Sequence, residues 1–344
     1  MTEIVLSGCE PRTLLSHMAL YGLAAILQSE GVPDVRLGWT DSGDPRPYIG
    51  VPAADDLGLA VLVGQHARSL DAGDSWVRRD ITLNGSLYGL MSPRLSTFKE
   101  DVKWAEVQQA RGTVLDKLTA DHRWLDLRYL AALGEPCYWS LNQKGELVQD
   151  NGASRLEMQP RNRGSEFVGS RLRKVAATVA AREPARILAG LRGESVTDEA
   201  GGDKLDSRTA TGFASPGPAD NALAWCALLG ISQFPIAMRV GGAARTCGHL
   251  SGARREWFYV PMWQGLWRPA RLRSVLASQF PRALASSGLG LTEYTETEVS
   301  AARAWLRSRH VDGVMRFPIE RFGSDNAPER RAMRGEVVPV QGTA

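Results

Sequence analysis

Arg12-Thr13-Leu14-Leu15-Ser16-His17-Met18-Ala19-Leu20-Tyr21-Gly22-Leu23-Ala24-Ala25-Ile26-Leu27-Gln28-Ser29 decides how this chain folds. Leu14, Met18, Tyr21 and Ala25 recur at three- and four-residue spacing, which places them on one helix face with Leu15 and Ile26 flanking. Pro11 suits the first helical position, and Gly31 and Pro33 close the segment. Such a helix is about 27 Å long and central to an N-terminal core. Upstream, residues 4–6 read as a strand and 7–11 as the turn that feeds the helix.

Working outward, strands are expected at 35–39 and 48–51, and a helix at 57–69 with Asp55 or Asp56 near its start. Asn84-Gly85 between apolar runs marks a hairpin. Ser96 can cap a helix running to about 118, and another spans 122–133. A second hairpin is expected around Lys144-Gly145. Residues 155–192 read as mostly helical, and 200–218, rich in Gly, Asp, Ser, Thr and Pro, as a linker. An apolar helix at 219–229 follows, then strands at 234–240 and 257–262, helices at 268–280 and 296–310, and strands at 311–318 and 336–340. The expectation is an α+β fold of mixed two-domain architecture with antiparallel strands and packed helices. Its divisions are an N-terminal α+β domain over 1–150, a basic helical segment and mobile linker over 151–218, and a C-terminal α+β domain over 219–344.

The net charge of +3 says little about partners, but of 41 basic residues 35 are arginine and six lysine. Arginine is the planar, always-charged fork that suits phosphates and stacks on bases. A GC-rich genome also enriches arginine, so clustering matters more than the total. The cysteines Cys9, Cys137, Cys226 and Cys247 have no metal-ligand spacing and read as reduced thiols of a cytoplasmic protein. The N-terminus lacks the pattern of a signal peptide. The longest charge-free apolar stretch, 222–238, is interrupted by Gly230, Ser232, Gln233 and Pro235, so no membrane span is expected.

Residues 239–282 hold eight arginines and one acid, Glu256, for a local charge of 8 − 1 = +7. Trp257, Phe258, Tyr259, Trp263 and Trp267 are interleaved with them. Guanidinium groups neutralise phosphates, and exposed rings stack on unpaired bases. Arg254, Arg255, Arg268, Arg271 and Arg273 are therefore candidate phosphate ligands, with Trp257 and Trp263 as stacking residues. The competing reading, supported by the alternation in 257–260, is a strand whose rings fill the core. Residues 155–192 carry nine basic and three acidic side chains, 9 − 3 = +6. There Arg161, Arg163, Arg171, Arg173 and Lys174 are candidates for a second contact surface, against the alternative of a solvated basic helix face.

Phosphate-loop, zincin and nucleophile-elbow motifs are absent, so no catalytic residue, cofactor or metal is expected. A nuclease built on scattered carboxylates such as Asp312 and Glu320, and a scaffold that binds protein alone, remain alternatives.

Three stretches resemble one family. Leu6-Ser7-Gly8-Cys9-Glu10-Pro11, with Leu14-Leu15 and Leu20-Tyr21-Gly22-Leu23 after it, is similar to the start of the large subunit of type I-G (formerly I-U) CRISPR–Cas surveillance complexes. Trp225-Cys226-Ala227-Leu228-Leu229, Phe234-Pro235-Ile236 and Glu256-Trp257-Phe258-Tyr259-Val260-Pro261-Met262-Trp263 resemble its apolar helix, Phe-Pro strand and Pro-Leu-Trp segment. Val311-Asp312-Gly313, Phe317 and Phe322 resemble its terminal pattern. Members of that family are usually much longer, so this chain resembles a compact one. The resemblance implies a non-catalytic, cytoplasmic subunit that contacts guide RNA and target DNA, reads a protospacer-adjacent motif, holds the displaced strand and recruits the helicase–nuclease alongside the other subunits. Pairing would read sequence while protein reads the short motif and the backbone.

Overall fold

The computed structural model describes residues 2–52, 55–83, 85–95, 101–136, 152–158, 167–204, 211–214, 218–237, 244–252, 255–291, 293–322 and 329–341. Strand β1 (Thr2–Val5) leads into helix α1 (Leu14–Ser29), followed by β2 (Arg36–Trp39), β3 (Pro47–Val51) and α2 (Asp56–Asp71). The hairpin β4 (Asp80–Leu83) and β5 (Ser86–Gly89) precedes α3 (Asp101–Ala120) and α4 (Trp124–Leu133). Next come α5 (Arg173–Ala180), α6 (Pro184–Arg192) and α7 (Asn221–Gly230). The C-terminal part comprises β6 (Ile236–Ala237), β7 (Arg245–Thr246), β8 (His249–Ser251), β9 (Glu256–Trp263), α8 (Pro269–Ala277), α9 (Phe280–Ser286), α10 (Glu296–Arg307), β10 (Val311–Phe322), β11 (Glu329–Ala332) and β12 (Glu336–Pro339). This is an α+β fold with antiparallel sheets. The expected hairpin around Lys144-Gly145 lies outside the described residues, as does Ser96.

Fourteen of the 16 residues of α1 are buried. A helix apolar all round has no solvent face to offer, and α1 is enclosed by α7, α2, α4 and the small sheet β1-β3-β2. Its crossing with α7 is backbone to backbone. A Cβ on Gly22 would sit 1.7 Å from the Cys226 carbonyl oxygen, and one on Gly230 2.2 Å from that of Met18. Gly22→Ala is therefore expected to cost about 3 kcal/mol, the upper end of overpacking, read as a lower urea midpoint at unchanged slope.

The larger sheet has the order β11-β10-β9-β8, with β12 also pairing with β10. Twelve-residue β10 pairs with β9 along most of its length. Trp267 exchanges backbone hydrogen bonds of 2.8 and 2.9 Å with Leu37, which joins the start of α8 to β2. One apolar cluster runs from Ile4 to Val340 and draws on all three stretches 1–150, 151–218 and 219–344. Residues on both sides of the expected boundary near 218 thus share a core.

Two core histidines are uncharged. His17 donates from Nε2 to the Pro11 carbonyl at 2.7 Å, and burial lowers its pKa to about 4. Burial and the nearby Arg123 lower that of His66 to about 3. Both titrate near 6.5 once unfolded, so the unfolded chain takes up the protons first and stability falls as pH drops below about 6.5. Each histidine contributes roughly 3 kcal/mol of that loss by pH 4. His66→Leu is expected to flatten a plot of unfolding free energy against pH between 6.5 and 4 relative to the wild type.

Candidate nucleic-acid interface

Strand β9 carries the aromatic run, and both of its faces are covered. Trp257, Phe258, Tyr259, Val260 and Trp263 are all buried. Trp263 stacks on Trp267 at 4.6 Å between ring centroids and lies 6.3 Å from Tyr21. The expected stacking role of Trp257 and Trp263 is thus corrected: both rings pack within the protein and offer no face to a base. The competing reading that the alternation in 257–260 supported, a strand whose rings fill the core, is the one the fold matches: β9 is interior to the sheet and α8 and α9 pack against it.

The second expected surface is also corrected in part. Arg173 donates to Asp80 Oδ1 at 2.5 Å and to the Val77 carbonyl at 2.8 Å, tying α5 to the segment before β4. Buried Arg182 donates to Asp220 Oδ1 at 2.7 Å and pairs with Glu199, which Arg186 also reaches at 3.0 Å. Arg192 pairs with Asp56. These guanidiniums are matched by carboxylates that lie outside the stretch 155–192. Arg171 is half-buried with partners of its own, and Lys174 is exposed. Arg161 and Arg163 lie outside the described residues, as does Arg254.

A cationic face does form at the start of α8. Arg268 sits at its N-cap, where the Leu37–Trp267 pairing sets it beside β2. Asp34 Oδ1 lies 2.8 Å from Arg268 Nη2 and 3.0 Å from Arg36 Nε. Hydrogen bonding from Arg36 holds the Asp34 carboxyl below its ordinary pKa, so one carboxylate serves two guanidiniums. Arg271, one turn on, lies over the Trp267 ring at 4.4 Å and donates to the Arg309 carbonyl at 2.6 Å. Arg309 lies over Trp305 at 3.7 Å, and Trp305 stacks on Phe280 at 4.4 Å. Four guanidiniums against Asp34 leave a local charge of 4 − 1 = +3. A guanidinium laid flat on a ring keeps its N–H edge directed outward, and less side-chain freedom remains to be lost on binding.

Other candidates diverge from this face. Arg273 is about 200° around α8 from Arg271 and donates to Gln233 Oε1 at 2.9 Å. Arg255 lies at the far end of β9, eight residues from Trp263 or about 27 Å along the strand. It stands 3.9 Å from Glu320, beside a cavity of about 530 Å³ that Glu256, Arg321 and Arg330 also line. Asp312 and Glu320 are likewise eight residues apart on β10, about 27 Å, and cannot share a metal ion. Among the described residues no three His, Cys, Asp or Glu side chains converge as a metal cage.

Sequence reading missed Arg36, Arg309 and Trp305. Arg309 lies just beyond a helix end, where a cation has an ordinary role beside the carbonyls, and nothing local connects it to Arg36. Among the described residues no helix is long and apolar enough to cross a membrane. Neither protein-family models nor curated proteins match this chain.

Proposed function

We propose that this chain binds nucleic acid by its phosphate backbone, through Arg36, Arg268, Arg271 and Arg309, as a non-catalytic, cytoplasmic subunit of a CRISPR effector complex. The observation that carries the reading is the α8 face, where Arg36 and Arg268 share the carboxylate of Asp34 while Arg271 and Arg309, joined by a hydrogen bond, each lie over a tryptophan ring. Excess cations spaced along a surface release counterions when a polyanion binds. With Trp257 and Trp263 in the core, recognition rests on charge and on arginine geometry rather than on stacked bases.

The resemblance to type I-G large subunits supplies the partners: guide RNA, target DNA, the other complex subunits and the helicase–nuclease. Fluorescence anisotropy with labelled single-stranded and duplex oligonucleotides tests the binding. The wild type should bind, and Arg268→Glu with Arg271→Glu should not. Equal affinity of the two proteins would refute the assignment.

A further inference from the structure

Asp34, the acid of the α8 face, lies in the turn between α1 and β2. Its backbone has φ +46°, in the left-handed region that aspartate and asparagine tolerate better than most other side chains. Arg36 forks the carboxylate: Nε donates to Oδ1 at 3.0 Å and Nη2 to Oδ2 at 3.1 Å. Arg268 donates from Nε to Oδ1 at 3.1 Å, and its Nη2 lies 2.8 Å from the same oxygen. Both guanidiniums thus turn their Nε–Nη2 edge to the carboxylate. Arg271 and Arg309 are held differently, each over a tryptophan ring.

Parallel N–H groups on one guanidinium edge grip a phosphate by the same two-bond fork that grips a carboxylate. Asp34 and a phosphodiester therefore compete for the same donors of Arg36 and Arg268. The contact is open to exchange, because Asp34 is 34% exposed and Arg268 63%, and a solvent-screened pair holds weakly. A competitor and a strut differ in sign. A carboxylate that only aimed the two arginines would be needed for binding, whereas one that covers their donor edges has to leave before a phosphate arrives.

We propose that Asp34 is an autoinhibitory residue: its carboxylate occupies the place of a phosphate between Arg36 and Arg268, and a nucleic-acid backbone displaces it on binding. The inference rests on the proposed nucleic-acid function and adds to it an internal competitor that sets the affinity of the face.

The test is a double-mutant cycle read by fluorescence anisotropy of a labelled single-stranded oligonucleotide at about 50 mM salt. Four full-length proteins enter it: the wild type, Asp34→Asn, Arg36→Gln with Arg268→Gln, and the three substitutions together. Asparagine suits the positive φ, so Asp34→Asn should fold, with a urea midpoint close to that of the wild type. It should bind the oligonucleotide about fivefold more tightly, the worth of one screened pair. In the protein lacking both arginines the same substitution should change the affinity by less than about twofold, because no donor edge remains to be released. A gain of equal size in both backgrounds would mean that Asp34 acts only through its field. An unchanged or weaker affinity of Asp34→Asn would mean that it positions the arginines. Either result overturns the proposal and leaves the nucleic-acid reading in place. Binding that Arg268→Glu with Arg271→Glu leaves unchanged, or no binding by the wild type and Asp34→Asn alike, would overturn that reading and the proposal with it.

Discussion

Arg182→Ala is expected to cost about 3–5 kcal/mol of stability, the typical loss on breaking a buried ion pair. Arg182 and Asp220 are both nearly inaccessible, at 5% and 3% exposure. The guanidinium donates to Asp220 at 2.7 Å, to the Thr197 carbonyl at 2.7 Å and to Glu199. Asp220 also caps α7, accepting from the backbone N–H groups of Ala222 and Thr197. Truncating Arg182 leaves that carboxylate buried without its cation and loosens the start of the helix that crosses α1. Urea unfolding should show a lower midpoint at unchanged slope, and oligonucleotide affinity of the folded variant should stay within about twofold of the wild type. A loss under about 1 kcal/mol would mean that the pair is solvated and that the arginines of α5 and α6 are available to a ligand.

Arg268→Glu combined with Arg271→Glu is expected to do the converse. Each substitution removes a charge-assisted contact worth about 1.5–3 kcal/mol and adds a charge that repels phosphate. The affinity for an oligonucleotide should fall at least about a hundredfold. Stability should change little. Arg268 is 63% exposed, and Asp34 keeps Arg36 as partner when Arg268 is lost, so solvent screens this pair and its loss is small. The contact of Arg271 with Trp267 is worth about 0.5–1 kcal/mol at an exposed site. The two variants thus divide the arginines of this chain into those that hold the fold and those proposed to hold a ligand.

Local chemistry made much of the fold legible. The Asn84-Gly85 signal marked the hairpin, and Gly85 has φ +75° as its turn demands. Asp55 caps α2 by accepting from Gly58 N. Even the Gly8-Cys9 step has a packing reason: a Cβ on Gly8 would lie 2.5 Å from Gly193 Cα, and Cys9 is buried. The all-round burial of α1 was not legible, because it depends on two glycines more than 200 residues apart letting α7 approach. The site was legible only in part. A window of sequence counts the arginines of 155–192 but cannot see Asp56, Asp80, Glu199 and Asp220 folded against them. Arg268 and Arg271 were visible as a pair, whereas Arg36 and Arg309 reach them only through the Leu37–Trp267 pairing and the Arg271–Arg309 contact.

The salt dependence of oligonucleotide binding tests the central claim most directly. Four phosphate contacts give a slope of log affinity against log salt of roughly −3 to −4, which amounts to about a hundredfold loss between 50 and 200 mM. The doubly reversed protein should lose about half of that slope along with most of its affinity. A wild-type affinity that stays level across this range, or a slope that the reversal leaves unchanged, would contradict the assignment of the α8 face.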